Sequence, residues 1–410
     1  MEFDAATIAA TKKALIERHP DLEGAFGSLT NHIGEVVSEI QRIVDAGNTP
    51  IPQLGYDEII RGSLSNTVAD QVRVRGCVIV RGVFPESQAQ QWNDELAEYV
   101  ESNNYYELEK EKRGLDKYFS ELASDAPQIF GIYWSRPQVM ARQSEPLAKT
   151  RAWLNRLWDS GPADFPEFDP DHECSYADRI RRRSPGDDTL GLSPHIDGGT
   201  IERWLDPGYQ SLYRDVFQGD WRQHNPFSAI GRTRTQEIPS PAVCHMFRTY
   251  QGWTALTAQG PGDGTLKLLP IARAMSWILL RALRADVADD DLCGARPGRA
   301  LSLTEEHHAP LLKALVPIPQ VNPGDTVWWH PDVAHAVEDR HTGSGYSNVM
   351  YIGAAPECDK NRAFLAKQAQ AFLAGKSSPD FAPEDYEVEF NNRATEADLT
   401  PQGRRQMGLA

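Results

Sequence analysis

The segment Ser193-Pro-His-Ile-Asp-Gly-Gly199 holds the residue types that bind a metal ion. His195 and Asp197 are two residues apart, and in a β-strand this spacing points both side chains to one face. Two histidines and one carboxylate on one face can hold ferrous iron and leave three positions open for a cosubstrate and dioxygen. A second histidine must then come from elsewhere. A lone His-x-Asp also arises by chance, as a surface histidine beside a solvated Asp.

The distant candidate is His335, in a segment that runs from residue 321 to residue 337. Pro323-Gly324-Asp325 is a strong turn signal, and an apolar strand and a second short strand that carries His335 follow it. A closed double-stranded β-helix brings strands from opposite ends of the barrel to one ion. The two segments together therefore predict a metal site, for which His330 is the rival third ligand.

These segments resemble the iron(II)/2-oxoglutarate-dependent dioxygenases, specifically the phytanoyl-CoA-dioxygenase-like branch and, within it, the DUF1479 (YbiU-like) group. The resemblance covers residues 76–356, about two thirds of the chain, and is most specific in residues 192–204, 248–256, 264–270 and 323–337. It implies a jelly-roll core, ferrous iron bound by His195, Asp197 and His335, and decarboxylation of 2-oxoglutarate to succinate. That reaction would drive hydroxylation or a related oxidation of a small-molecule substrate.

One departure concerns the cosubstrate. In this family an arginine on the last core strand, some ten to thirteen residues after the distal histidine, usually pairs with the distal carboxylate of 2-oxoglutarate, a geometry that suits a guanidinium. Residues 343–351 contain no basic residue. The candidates to replace it are Arg248, Arg340, Arg203 and Arg179. Arg248 is preferred because it begins the strand that leads to Trp253, a position often near the cosubstrate, although strict alternation requires a bulge at Gly252 to bring both to one face.

The elements around the site form a mainly β core with flanking helices, and the predicted fold is a double-stranded β-helix (jelly roll). Residues 1–75 read as a helical segment, residues 76–82 as a buried strand, and the helix that follows Pro85 has an apolar stripe. Residues 176–355 read as short strands between turns and form the predicted catalytic β core, interrupted by a helix near Ile278. Residues 356–410 are expected to wrap around it. We expect one decorated domain over residues 1–410.

Composition limits the class of protein. The chain has 410 residues, 40% of them hydrophobic, and its 58 acidic residues outnumber Lys and Arg by 16. A field of that sign repels nucleic acids and anionic membranes, so neither is an expected partner. The five cysteines make no CxxC spacing, and no signal peptide or membrane span is predicted, so we expect a cytoplasmic protein.

Three alternatives stay open. Because of the missing arginine, the chain could be a cupin-like metal enzyme that uses no 2-oxoglutarate. It could also be a catalytically silent jelly roll that binds a small ligand. The third alternative concerns Glu202 and Arg203. If the strand continues past Gly198 and Gly199, one of these two residues would face the barrel mouth and bind a polar substrate. Otherwise both would form an internal ion-pair network that fixes the rim of the barrel. Residues 181–183 are a local basic run that could attract an anionic substrate, but a solvated strand edge is the simpler interpretation, and His307 and His308 read as solvated.

Overall fold

A computed structural model describes residues 4–112, 127–188, 193–239 and 244–409. Its helices fall into groups along the chain, with short 3-10 turns at Arg232–Arg234, Tyr386–Val388 and Glu396–Asp398. In the first half the helices are Ala5–Arg18, Leu22–Asp45, Tyr56–Arg61, Asn66–Arg75, Glu86–Ser102, Tyr105–Lys112, Arg136–Arg142 and Glu145–Asn155. In the second half they are Glu202–Leu205, Pro207–Leu212, Arg214–Gln218, Ala274–Arg281, Glu305–Leu312, Asp359–Ala374 and Pro401–Met407. None of the helices in these ranges has the length and apolar character to cross a bilayer.

The larger sheet has seven strands in the order β1-β2-β11-β7-β13-β5-β3. The strands are β1 (Gln53–Gly55), β2 (Cys77–Arg81), β3 (Ile129–Phe130), β5 (Ile180–Arg183), β7 (Tyr250–Ala255), β11 (Thr326–Trp329) and β13 (Ser347–Ala354). Only the β1–β2 pair is parallel. The sheet therefore joins strands from the first 130 residues to the later, predicted β core.

The smaller sheet has five antiparallel strands in the order β10-β8-β12-β6-β9. These are β6 (His195–Ile196), β8 (Leu266–Leu268), β9 (Leu301–Ser302), β10 (Val316–Pro317) and β12 (His335–Val337). A two-stranded ribbon of β4 (Asp169–Glu173) and β14 (Pro356–Glu357) completes the set. The predicted beginnings of two strands, at Leu192 and at Ala242, lie outside the described residues.

The space between the two sheets is the centre of the molecule. In the larger sheet, alternation puts Trp253, Val327 and Val349 on one face, where they join a hydrophobic cluster with Ile196 and Leu268 of the smaller sheet. Residues of the other face, which include Val78, Trp328 and Ile352, pack under the helices Glu86–Ser102 and Glu145–Asn155. The five cysteines are buried free thiols.

The protein thus mixes helices with several sheets, and the described strands do not close into a barrel. This corrects the expectation of a mainly β core, because more of the described residues lie in helices than in strands. The jelly roll, and the boundaries at residues 75, 176 and 356, stay predictions. The stripe predicted after Pro85 is confirmed: Ala89, Trp92, Leu96, Tyr99 and Val100 are all buried.

Candidate metal centre

The three predicted metal ligands lie together between the sheets. His195 on β6 and His335 on β12 are direct cross-strand partners, with ring centroids 4.3 Å apart. Asp197 follows β6, and its two carboxylate oxygens lie 3.8 Å from Nε2 of His195 and 3.6 Å from Nε2 of His335. One potential ligand atom from each residue lies within 4.8 Å of the other two. The period of two and the cross-strand pairing together produce this cluster.

Two glycines end the strand directly after Asp197. Gly198 and Gly199 have φ of +79° and +107°, a region that other residues rarely adopt. A Cβ on Gly199 would lie 2.6 Å from the hydroxyl of Tyr209. The chain therefore turns sharply here into the helix Glu202–Leu205, which leaves the Asp197 side chain at the end of β6 beside both histidines.

The protonation states of the cluster suit a metal ligand set. Burial, followed by the neighbouring His195, lowers the pKa of His335 to about 3, so this ring is neutral at pH 7. With its proton on Nδ1, His195 donates to the carbonyl of Ser193 at 2.8 Å, which leaves the Nε2 lone pair facing the cluster. Burial alone would raise the pKa of Asp197, but the imidazoles, Arg248 and Gln251 lower it overall, so Asp197 is a carboxylate.

The cluster fits a divalent first-row metal by its donor chemistry. Two neutral imidazoles and one carboxylate are the ligand set of non-haem ferrous sites. Ligands about 2.1 Å from such an ion, on one octahedral face, are about 3 Å from each other. The two separations from Asp197, 3.6 and 3.8 Å, exceed this by less than 1 Å, and all three ligand atoms lie within 4.8 Å of one another, so side-chain movement toward the ion would complete the site.

Gln251 on β7 links the cluster to the larger sheet. Its side-chain amide donates to Oδ2 of Asp197 at 2.8 Å. Gln251 lies two residues before Trp253, so both side chains project from the same face of β7. The sequence reasoning missed Gln251, although this spacing was a signal once Trp253 was assigned to the inner face.

A central cavity of about 120 Å³ adjoins the cluster. Arg248 and Trp253, two of the predicted cosubstrate residues, line it. The register of β7 against β13 is regular through Gly252, so no bulge is present. Arg248 instead precedes the strand, and its side chain passes over Gly353, where a Cβ would lie 3.2 Å from Cδ of Arg248.

The third predicted cosubstrate residue, Arg340, does not line the cavity. Its side chain is 68% exposed and lies 3.8 Å from Asp188. The reason is that β12 ends at Val337, after which the chain leaves the sheet for the surface. The structure thus separates Arg340 from Arg248 and Trp253.

Two other arginines line the cavity, Arg179 and Arg181. Arg181 lies on β5 opposite Val349, and β5 is an inner strand between β13 and β3, so the expectation of a solvated strand edge at residues 181–183 was wrong. Arg181 donates to Oγ of Ser347 at 2.9 Å, and its Nε is buried without a hydrogen-bond partner in the described part of the chain. The alternation of Arg179, Arg181 and Arg183 in the sequence was the available signal.

Glu202 and Arg203 are buried and do not face the cavity. Of the two alternatives, the one in which Glu202 or Arg203 faces a barrel mouth was wrong, because Gly198 and Gly199 end the strand, and the buried positions agree better with an internal network. Arg203 donates to the carbonyls of Asp197 and Gly198 and forms an ion pair of 2.7 Å with Asp332, which precedes β12. Glu202 accepts from the backbone N–H groups of Thr200 and Ile238 instead of pairing with Arg203. Arg203 therefore ties together the two segments that carry the histidines.

His330, the rival ligand, lies outside the cluster. Its ring stacks on Trp158 with centroids 4.6 Å apart. Its Nε2 lies 2.9 Å from the carbonyl of Pro226, and its Nδ1 lies 2.9 Å from the N–H of Asp332. Both ring nitrogens are occupied within the protein, so His330 has no free position for a metal.

Relatives of known structure share the whole architecture. A Salmonella typhimurium LT2 protein described as "Putative Oxidoreductase" is 40% identical, with a TM-score of 0.94 over 100% of this chain and 98% of that one. A hypothetical protein from Escherichia coli is also 40% identical, with a TM-score of 0.90 over the same shares. GlcNAc Inducible Gene 2 (DUF1479) of Candida albicans is 26% identical, with a TM-score of 0.82 over 98% of this chain and 89% of that one.

Sequence comparison agrees with these structures. The chain is 41% identical to the uncharacterized protein YbiU of Escherichia coli (strain K12), over 98% of this chain and 96% of that protein. The model of the Gig2-like family matches residues 4–409. The fold, the extent of these matches and the identity leave one conclusion: the chain belongs to the Gig2-like (DUF1479) family.

Proposed function

We propose that this protein is a non-haem iron(II) oxygenase that couples decarboxylation of 2-oxoglutarate to the oxidation of a small molecule, on a core of the jelly-roll type. The observation that carries the proposal is the cluster of His195, Asp197 and His335, two imidazoles and a carboxylate that adjoin a cavity. Ferrous iron and 2-oxoglutarate would supply oxidative decarboxylation to succinate, coupled to oxidation of a C–H bond by dioxygen.

The protein's part is to hold and orient these groups. His195, Asp197 and His335 would bind the metal, and Gln251 would fix the carboxylate of Asp197. Trp253 and Trp329 line the cavity with apolar surface and limit the access of water to it. The cavity of about 120 Å³ has room for a small dicarboxylate beside the metal.

Two buried arginines, Arg181 and Arg248, are candidates to bind the distal carboxylate of 2-oxoglutarate. Arg248 was preferred on sequence grounds. The structure favours Arg181, which lies at the end of the cavity remote from the metal ligands. Arg181 pairs across the strands with Val349, and Val349 pairs with Ala255 on β7. Ala255 lies four residues along β7 from Gln251, a distance of about 13 Å. If the Arg181 side chain points from this position toward the metal ligands, the gap between its guanidinium and the metal would match the length of one small dicarboxylate.

The surroundings of Arg181 also fit a carboxylate. Its Nη2 is held by Ser347 and by Gln259 at 3.3 Å, so the guanidinium is fixed in place. Its Nε is buried and has no hydrogen-bond partner in the described ranges, which leaves a donor for an anionic ligand. Trp253 and Tyr351 form the intervening row and would flank the carbon chain.

The metal assignment is tested by anaerobic titration with Fe(II). Asp197→Ala and His335→Ala should each bind the ion at least tenfold more weakly, since each loses a direct ligand, while far-UV circular dichroism stays unchanged. The matched control is His172→Ala, which removes a histidine paired with Asp169 on the surface. Unchanged affinity in both cluster variants would refute the assignment.

The cosubstrate assignment is tested with 2-oxoglutarate binding and succinate release. Arg181→Gln loses a charge-assisted contact and should bind 2-oxoglutarate roughly 30-fold to 1,000-fold more weakly, about 2–4 kcal/mol. If only Arg248→Gln weakens the binding of 2-oxoglutarate, the distal carboxylate is bound by Arg248, as preferred from the sequence. Failure of 2-oxoglutarate to bind the wild-type iron form at millimolar concentration would favour a cupin-like metal enzyme, in keeping with the absence of arginine from β13.

A further inference from the structure

The charges that line the central cavity are not balanced. Among the described residues, three arginines (Arg179, Arg181 and Arg248) and two carboxylates (Asp178 and Asp197) line this cavity. One positive charge is therefore in excess. A divalent metal raises the excess to three, and the dianion of 2-oxoglutarate returns it to one. A buried charge without a partner is unfavourable, so the filled cavity still calls for one negative charge.

The guanidinium groups of two of these arginines pack over neighbouring aromatic rings. The guanidinium of Arg248 lies 5.0 Å from the ring centre of Tyr176, and that of Arg179 lies 4.2 Å from the ring centre of Phe381. The rings of Tyr176 and Phe381 are themselves 6.2 Å apart. These four residues form one continuous side of the cavity, which we name the cation-aromatic wall. Arg181 is not part of this wall, because its guanidinium donates to Ser347.

The wall lies where a substrate would arrive. Asp178, Arg179, Phe381 and Tyr351 are half-buried, whereas Arg181 is 4% exposed. The cavity therefore opens beside the wall. Arg179 has a partner there, since its Nε lies 3.5 Å from the carboxylate of Asp178. The guanidinium of Arg248 is buried and makes no hydrogen bond or ion pair with any residue of the described ranges.

We propose that the oxidised substrate is a small organic acid whose carboxylate is bound by Arg248 on the cation-aromatic wall. This inference rests on the proposed function, which assigns the other anion position to 2-oxoglutarate. A single carboxylate closes the charge balance, and a guanidinium binds it through two parallel hydrogen bonds. A phosphate monoester carries close to two negative charges at neutral pH and would leave the cavity negative. The wall also places apolar ring surface next to the guanidinium for the carbon part of the acid.

Matched pairs of acids and amides test the proposal. The protein is loaded with Mn(II) in place of Fe(II) and with saturating 2-oxoglutarate, which occupies Arg181. The unfolding midpoint is then measured with butyrate or butyramide, hexanoate or hexanamide, and benzoate or benzamide, at constant ionic strength. At least one acid should raise the midpoint by about 2 °C more than its amide, because only the acid binds Arg248. Methyl phosphate is the added comparison.

Variants assign the effect to one residue. Arg248→Gln should abolish the preference for acids, and Arg248→Lys, which keeps the charge without the paired hydrogen bonds, should retain a reduced one. Arg182→Gln is the matched control, since Arg182 is the next residue on β5 after Arg181 and does not line the cavity. Circular dichroism checks that each variant is folded.

The proposal is overturned if the wild-type protein prefers no acid over its amide, if the preference survives in Arg248→Gln, or if methyl phosphate gives a larger shift than every acid. Loss of the acid preference in Arg181→Gln instead of Arg248→Gln would also overturn it. If 2-oxoglutarate itself fails to stabilise the Mn(II) form, the proposed function fails separately. The acid and amide comparison is then read in the metal-free protein, where the cavity still has one positive charge in excess.

Discussion

Gln251 connects the metal cluster to the larger sheet through one hydrogen bond to Asp197. Gln251→Ala removes this donor and leaves the Asp197 carboxylate free to rotate. We expect a 10-fold to 100-fold weaker affinity for Fe(II), the usual effect of losing a residue that orients a ligand. The free energy of unfolding should fall by only about 1 kcal/mol, the contribution of one hydrogen bond. Anaerobic titration and urea unfolding measure the two effects separately.

Gln251→Glu serves as the second variant, because it keeps the size of the side chain but places a carboxylate beside Asp197. A carboxylate has no N–H to donate to Asp197, so if the hydrogen bond orients Asp197, this variant should also bind Fe(II) more weakly than wild type. A wild-type affinity in Gln251→Ala would show that Asp197 needs no such support.

The sequence predicted the clustering of His195, Asp197 and His335 better than it predicted the positions of the charged residues around them. His195, Asp197 and His335 could be found because the period of two and a turn signal before a strand are local patterns. Arg181 was read as a residue of a solvated strand edge and Arg203 was left between two alternatives, because their positions depend on where the strands lie. Whether β5 is an edge strand, and whether β6 continues past Gly199, are decided by pairing with distant segments and by the space around Tyr209.

At the level of elements, close packing of β7 against β11 depends on Gly252. A Cβ at this position would lie 2.5 Å from the carbonyl oxygen of Val327 and 2.8 Å from the ring of Trp328. Gly252→Ala must therefore move the two strands apart, and we expect it to lower the free energy of unfolding by about 1–3 kcal/mol or more. Gly34→Ala, in the helix Leu22–Asp45, is the matched control, because its Cβ meets no atom within 4 Å.

The two substitutions should have opposite signs. Alanine has the higher helix propensity, so Gly34→Ala should stabilise the protein by up to about 1 kcal/mol. Urea unfolding of both variants at one pH provides the comparison. Destabilisation of similar size in both would indicate that the tight contact at Gly252 relaxes at little cost, and that β7 and β11 are not held at their present separation.

Element types were predictable where a pattern repeats over several turns or residues. The helix Glu86–Ser102 has the predicted stripe, and the strands near Thr326 and His335 lie where the sequence placed them. The sheets they form were not predictable. β2 pairs with β11 across some 250 residues, and no local pattern specifies such a partner. The helical contribution to the fold was underestimated for the same reason, since short helices such as Glu202–Leu205 follow from tertiary packing.

For the molecule as a whole, several buried ionisable groups outside the candidate metal cluster make the free energy of unfolding depend on pH in two opposing ways. Burial lowers the pKa of His224 and His308 to about 4, and these rings resist protonation in the folded state. Burial raises the pKa of Glu173 and Glu387 to about 7. The histidines favour folding less as the pH falls below 6.5, whereas the two carboxyl groups favour it less as the pH rises from 4.5 to 7.

His308 can be separated from this balance by substitution. The sequence reading of His308 as solvated was wrong, because its ring lies on the inner face of the helix Glu305–Leu312, three residues before the buried Leu311, and accepts the N–H of Thr304. His308→Gln keeps a polar side chain that does not titrate. The matched control is His172→Gln, since the contact with Asp169 raises the pKa of this exposed histidine.

The unfolded chain binds a proton at His308 below about pH 6.5, and the folded protein does so only near pH 4, so the unfolded state holds more protons between these values. The stability that wild type has relative to His308→Gln should therefore decrease by about 2 kcal/mol between pH 7 and pH 5. For His172→Gln the corresponding difference should be small and of opposite sign. Urea unfolding of the three proteins at both pH values measures this, and a difference for His308→Gln that does not change with pH would show that the ring is protonated as easily in the fold as in water.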